Sequence, residues 1–353
     1  MEVVYFMNYY IISVIVSISM SFFITLVFGK FFIPFLHKLK YGQTILEIGP
    51  SWHKKKQGTP VMGGIMFIVG ITVSTLFCVP LYYYLSMCNG KNALETPLMI
   101  CKVFGGLIMA ILYGVTGFLD DYVKVRKSQN QGLTPRQKLI FQFGIVLVYF
   151  FVLQAINNFF GGESLTKVLL PCFGKIDFGV FYWIIFSVII VGIVNAANLT
   201  DGVDGLSGSI ALFIGIFYMI ITNILGMFGL SIEAAALAGG CLGFLFWNFH
   251  PAKVFMGDTG SLFLGGIVCA LGIGAGLHIP LIILSFVYIL EMFSVILQVG
   301  YFKFSGGKRL FKMSPIHHHF EMCGWTEAKI CTVFSIATII LGIISTALVI
   351  YCF

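Results

Sequence analysis

The sequence predicts an all-α integral membrane protein, a bundle of ten transmembrane helices, on three observations. Of its 353 residues, 59% are hydrophobic and only 10% charged, with a mean hydropathy of +0.99, a balance foreign to soluble domains. Apolar runs of about 20 residues, the length that crosses a bilayer, recur ten times. Lysine and arginine concentrate in alternate loops, as the positive-inside rule requires of a chain threaded back and forth.

The runs cover 11–36, 61–85, 98–119, 137–156, 179–197, 206–225, 232–249, 261–277, 280–302 and 328–352, and together form one domain, residues 1–353. The first follows Glu2 with no basic segment before it and no small-residue cleavage site after it, so it reads as a retained helix. Residues 52–58, 124–138 and 303–312 are basic, whereas 86–97 and 226–231 are nearly neutral. The long neutral loop 157–178 carries Thr166 to Leu170, then Pro171, then Gly174 to Phe178, which predicts a short hairpin. Gly239 and Gly243, and the glycines between 265 and 276, predict close helix packing.

Of the 21 Lys and Arg residues, 17 fall on one side of this threading, and only Lys91, Lys102, Lys167 and Lys175 on the other. That places the loops after the first, third, fifth, seventh and ninth spans in the cytoplasm and both termini outside. Topology accounts for the net charge of +7, and no nucleic-acid partner is read from it. The nine cysteines are scattered singly, mostly in apolar runs where cysteine acts as a small hydrophobe. They carry no metal or disulfide framework, although Cys88 and Cys172 share the outer side.

Four polar clusters all land on the cytoplasmic side and are expected to share a site. The first is Asn198-Leu-Thr-Asp201-Gly-Val-Asp204-Gly205, a pair of aspartates hinged by glycine between two spans. A charged residue costs about 2.5–3.5 kcal/mol at a membrane centre, so such carboxylates are not filler. The second is Asp120-Asp121 with Lys124, read either as hard oxygen ligands for Mg²⁺ or as a solvated helix end. The third, Gly257-Asp258-Thr-Gly-Ser261, opens a helix and can serve either an anion or as an N-cap. The fourth is Ser314-Pro-Ile-His317-His318-His319-Phe-Glu321. Neighbouring helical residues diverge by about 100°, so the three histidines do not converge on one metal. They suit phosphate contact or proton transfer, or, with Lys308, Arg309 and Lys312, only topology. Glu291, in mid-span, needs a partner, water or a proton: a hydrogen bond across helices, or the proton path of a transporter.

These residues resemble, over nearly the whole chain, the phospho-N-acetylmuramoyl-pentapeptide transferases, a branch of the polyprenyl-phosphate N-acetylhexosamine-1-phosphate transferase superfamily. The resemblance is carried by Lys56-Gln-Gly-Thr-Pro-Val-Met-Gly-Gly64, Gly117-Phe-Leu-Asp-Asp-Tyr122, Asn198 to Leu206, Trp247-Asn248, Val254 to Leu262 and Met313 to Glu321. Val61 stands where the branch usually has threonine, which removes a side-chain hydrogen bond there and leaves a backbone contact.

The resemblance implies transfer of phospho-N-acetylmuramoyl-pentapeptide from its UDP-linked donor to undecaprenyl phosphate at the cytoplasmic face of a bacterial cell membrane. Lipid I and UMP are the products, Mg²⁺ is the cofactor, and the enzyme is a homodimer in membrane lipid. It implies Asp258 as a Mg²⁺ ligand, with Asp120 and Asp121 completing the acidic set near the phosphates or the acceptor. Asn198, Asp201, Asp204, Asn248 and Phe255 would hold the donor, Phe255 by stacking on uracil, with Lys56 and Gln298 nearby. Lys124, Lys138 and His317, His318 and His319 would line the pyrophosphate and sugar side. The other readings are a polyprenyl-phosphate N-acetylglucosamine-1-phosphate transferase and, from a different class, a cation transporter.

Overall fold

The computed structural model describes residues 2–39, 56, 58–88, 96–126, 131–171 and 173–352. Lys40, Lys54, Lys55, Lys91, Lys127 and Cys172 lie outside the described residues, and with them much of the basic segment 52–58. Twelve helices run in the order α1 (Glu2–Lys38), α2 (Gly64–Cys88), α3 (Thr96–Arg126), α4 (Pro135–Phe160), α5 (Val180–Leu199), α6 (Leu206–Ile224), α7 (Phe228–Asn248), α8 (Gly257–Gly274), α9 (His278–Leu284), α10 (Phe286–Phe304), α11 (Ile316–Glu321) and α12 (Glu327–Cys352). Among the described residues, ten of them are long and apolar enough to cross a membrane, one for each predicted span. The predicted hairpin forms between α4 and α5: β1 (Lys167–Leu170) pairs antiparallel with β2 (Gly174–Asp177), Val168 opposite Ile176.

Two elements differ from the sequence reading. The ninth predicted span is broken at Ser285, whose φ of −85° and ψ of 3° end α9 and begin α10. The hydrogen bonds from Ser285 N to Leu281 O and from Ile289 N to Ser285 O persist, so helical bonding continues across the break. Helix α3 also runs past its apolar window to Arg126, so Asp120 and Asp121 lie inside the helix rather than at its end. Backbone hydrogen bonding does not stop where hydrophobicity does, and Lys124 supports the extra turns by pairing with Asp120 one turn back at 2.6 Å. Helix α4 starts at Pro135, two residues before the predicted span, on a capping box: Thr134 accepts from Gln137 N while the Gln137 side chain accepts from Thr134 N, with Pro135 in the first turn.

Helix α8 is the centre of the bundle, with 89% of its apolar window buried against 22% for α1. It packs on α3 and α5, and glycine sets how closely. A Cβ on Gly117 of α3 would lie 2.1 Å from the Asp258 carbonyl oxygen, and one on Gly64 of α2 would lie 2.2 Å from Gly260 Cα. Three helices therefore meet backbone to backbone at the start of α8. The segment before α2 completes the junction: Phe255 N donates to Pro60 O, Gly63 N to Phe255 O and Gly64 N to Met256 O, at 2.8–3.0 Å. These bonds fix the backbone on both sides of Phe255. Beside them a Cβ on Gly257 would lie 2.9 Å from Val61 Cγ1, so the valine side chain serves as packing against the start of α8.

Candidate active site

The close approach of α3 to α8 brings Asp120, Asp121 and Asp258 together, one carboxylate oxygen of each lying within 4.8 Å of the others. Asp121 is buried and works as a cap supplied by the neighbouring helix. Its oxygens accept from Asp258 N at 3.2 Å, from Thr259 N at 2.9 Å and from Thr259 Oγ1 at 2.7 Å, satisfying the open amides that begin α8. Asp120 Oδ1 accepts from Leu133 N at 2.7 Å, which folds the loop before α4 over the cluster. Asp258 Oδ1 accepts from the Asn198 amide at 2.8 Å, and Asn198 also reaches Ser261 Oγ at 2.8 Å, tying the end of α5 to α8.

Two ammonium groups complete the cluster. Lys124 lies 2.6 Å from Asp120 Oδ2 and 2.9 Å from Asp258 Oδ2, and Lys138, on α4, lies 3.1 and 2.6 Å from the same two oxygens. The edge shared by Asp120 Oδ2 and Asp258 Oδ2 is therefore where positive charge is held. This donor set fits a hard divalent cation, which favours a few carboxylates together with water or phosphate oxygens. Asp120, Asp121 and Asp258 are the three that could hold it, Asp121 being engaged as well with the amides of α8.

A second cluster joins the loop after α5 to α12. Lys56 pairs with Asp204 at 2.6 Å and Glu327 at 2.7 Å, and His250 Nδ1 lies 3.0 Å from the other oxygen of Asp204. Asp204 N donates to Glu327 at 2.9 Å and Ala252 N to Asp204 at 3.1 Å. Burial draws the Lys56 pKa down, but the hydrogen bonds to Asp204 and Glu327 outweigh it and raise it above its ordinary value. The lysine is thus held charged.

Between the clusters lies Asp201. Burial, and then the carboxylates of Asp258, Asp121 and Asp204, push its pKa well above the usual carboxylate range, against a smaller pull from Lys56. The turn Asp201-Gly202 is also where His317 arrives: a Cβ on Gly202 would lie 2.4 Å from His317 Nε2. The glycine-hinged aspartates are therefore the junction of all four polar clusters.

The three histidines separate as helical geometry requires. His317 is buried and its Nδ1 lies 3.0 Å from Glu291, His318 Nδ1 lies 2.5 Å from Glu321, and His319 Nδ1 accepts from Lys312 N at 3.1 Å. Two other candidates act on the backbone. Asn248, 1% exposed, accepts from Gly205 N at 3.0 Å and donates to Val254 O at 2.8 Å, so it braces the Asp204 turn against the segment leading to Phe255. Gln298 accepts from Leu310 N and Phe311 N and donates to Phe311 O, clamping the basic loop. Phe255 is half-buried on its doubly fixed backbone.

Sequence reasoning missed Glu327 and His250 and left Glu291 without its partner. Glu327 reads as an ordinary acid in a helix's first turn, and His250 as a loop residue before Pro251. The one available signal was the need of Glu291 for a partner within the membrane.

The convergence of these motifs agrees with what the chain is similar to. Residues 103–276, from α3 through α8, match the family model described as glycosyl transferase family 4. Among curated relatives, the phospho-N-acetylmuramoyl-pentapeptide-transferase of Halalkalibacterium halodurans is 44% identical over 322 residues, 91% of this chain and 92% of the relative. That of Bacillus pumilus is 42% identical over 333 residues, 94% and 96% of the two chains. The same-named protein of Clostridium botulinum is 40% identical over 336 residues, 94% and 95%. At this identity and coverage, with the matched region spanning the helices that assemble the carboxylates, the chain belongs to the phospho-N-acetylmuramoyl-pentapeptide transferase family.

Proposed function

We propose that the chain transfers phospho-N-acetylmuramoyl-pentapeptide from UDP-N-acetylmuramoyl-pentapeptide to undecaprenyl phosphate, forming lipid I and releasing UMP. The observation that carries this reading is the meeting of Asp120, Asp121 and Asp258 with two lysines at the junction of membrane helices. Phosphoryl transfer needs alignment and neutralisation of charge more than covalent participation by the protein. An acceptor that stays in the bilayer needs a site built at helix ends. The charge asymmetry of the loops supports a cytoplasmic site with both termini outside, and we take the enzyme to work as a homodimer.

Asp258, with Asp120 and Asp121, would hold Mg²⁺, which when bound neutralises the phosphate oxygens and orients them. Lys124 and Lys138 flank that position and suit the donor's pyrophosphate. Asn198 fixes the Asp258 carboxylate, and Asp121 fixes the helix that carries it. Asp201, Lys56 and Asp204 face the nucleoside, and Phe255 offers its ring to uracil. The acceptor phosphate already carries the nucleophilic oxygen, so the carboxylates serve to orient it, and Asp120 or Asp121 to take any proton it still carries. The second superfamily reading, transfer of N-acetylglucosamine 1-phosphate, is disfavoured by the names of the relatives, and the transporter reading by the pairing of Glu291.

Purified protein in detergent with undecaprenyl phosphate and Mg²⁺ is expected to release UMP from UDP-N-acetylmuramoyl-pentapeptide and to leave UDP-N-acetylglucosamine intact. Equal turnover of the second donor would move the chain to the other transferase. Absence of UMP release from a folded preparation with either donor would refute both.

A further inference from the structure

Glu291 sits in α10 with 0% exposure, yet the sequence around it, Val287-Tyr-Ile-Leu-Glu291-Met-Phe, is that of a membrane span. A carboxylate there is expensive unless it is paired and used. Its Oε2 lies 3.0 Å from His317 Nδ1 and 3.4 Å from the His317 backbone amide. His317, also 0% exposed, belongs to α11, a short helix on the loop that follows α10. The contact therefore joins a rigid membrane helix to the one histidine whose far ring edge meets the Asp201-Gly202 turn. Among the described residues, His317 Nε2 has no hydrogen-bond partner.

We propose that Glu291 is a positioning residue for phosphoryl transfer, holding His317 with its proton on Nδ1 so that the Nε2 lone pair faces the Asp201-Gly202 turn. The chemistry is directional. In the proposed arrangement Glu291 is the ionised acceptor, since a carboxylate oxygen only accepts; the ring nitrogen it contacts then donates, and in the neutral imidazole the other nitrogen is the acceptor. The weaker contact to the His317 amide fixes where the residue enters α11. His318 lies against the ring, centroids 4.2 Å apart, but is itself engaged with Glu321, so Glu291 is the group that sets the orientation of His317. A buried donor or acceptor without a partner is costly. An unpartnered Nε2 beside the Asp201-Gly202 turn is accordingly suited to accept a hydrogen bond that forms as transfer proceeds rather than in the resting donor complex. The role rests on the transferase reading; the ring's protonation pattern does not.

The test has two independent readouts. In protein labelled with ¹⁵N-histidine, the His317 signals are assigned by their loss in His317→Gln. They are expected at neutral pH to show a protonated Nδ1 and an unprotonated Nε2. Glu291→Gln retains an oxygen acceptor and should keep this pattern, with kcat within about 10-fold of the parent. Glu291→Met removes the acceptor and should move the proton to Nε2. It should lower kcat by about 100-fold or more, the range of a misdirected acid–base group, with donor KM changed less than threefold. A wild-type ring protonated on Nε2 would overturn the proposal even if Glu291→Met failed to fold. So would a folded Glu291→Met variant as active as Glu291→Gln. If the parent protein transfers nothing while the ring pattern is as stated, it is the transferase reading that has failed.

Discussion

Asp258→Asn is expected to reduce turnover by at least about 100-fold, the scale seen when one preorganised electrostatic contact is lost at a reacting centre, at any achievable Mg²⁺ concentration. The substitution keeps the size of the side chain but removes the charge against which Lys124 and Lys138 are held at 2.9 and 2.6 Å. It also places an amide where a hard anionic ligand is required. Helix α8 should survive, because its first amides are capped by Asp121 and not by Asp258. Thermal unfolding close to that of the parent is therefore expected to accompany the loss. Glu163→Gln, in the ion pair with Lys175 beside the hairpin, serves as the control and should change nothing. Near-normal activity of Asp258→Asn would remove Asp258 from the site.

Gly117→Ala should be equally damaging, although it adds a single methyl group to a helix that makes no side-chain contact with substrate at that position. The new carbon would lie 2.1 Å from the Asp258 carbonyl oxygen and 2.6 Å from Thr259 N, and backbone cannot swing aside as a side chain can. Helix α3 must move away from α8. That separates Asp120 from Asp258 and draws Asp121 off the amides it caps. Misplacement of reacting groups by about 1 Å can cost 10²-fold in rate, and a loss of that size or greater is expected. Gly105→Ala, on the same helix but with nothing within 4 Å of the added carbon, should be silent. Equal activity of the two variants would show that the approach of α3 to α8 does not set the geometry of the site.

What was legible in the sequence followed from local physics. Ten spans were visible because a lipid-crossing helix announces itself by length and apolarity. The hairpin at Lys167–Asp177 was visible from its turn. The parity of the polar clusters anticipated that Asp120, Asp121 and Asp258 would meet. The break at Ser285 was hidden, because the apolar run is unbroken across it. The extension of α3 was hidden by equating the end of hydrophobicity with the end of the helix. Partners distant in sequence were beyond any window: Glu291 and His317 are 26 residues apart, and Lys56 and Glu327 are 271. Asn248 and Gln298 carry side chains suited to a ligand, and only the fold reveals that both spend them on backbone.

The central claim is that the carboxylates hold and orient the positive charge that neutralises the phosphates while the acceptor phosphate attacks the donor directly, with no bond formed between the protein and phosphorus. Asp121 is occupied by three hydrogen bonds to α8. Asp120 and Asp258 are paired with lysines and with amide groups. A covalent route would release UMP before the lipid binds, and the phosphorylated enzyme could then return labelled UMP to the UDP-linked donor. The decisive measurement is that exchange in rigorously delipidated protein supplied with donor, Mg²⁺ and labelled UMP. Direct attack predicts no label in the donor until undecaprenyl phosphate is added; exchange that persists without lipid, and disappears in a single aspartate variant that still binds donor, would contradict it and identify the nucleophile.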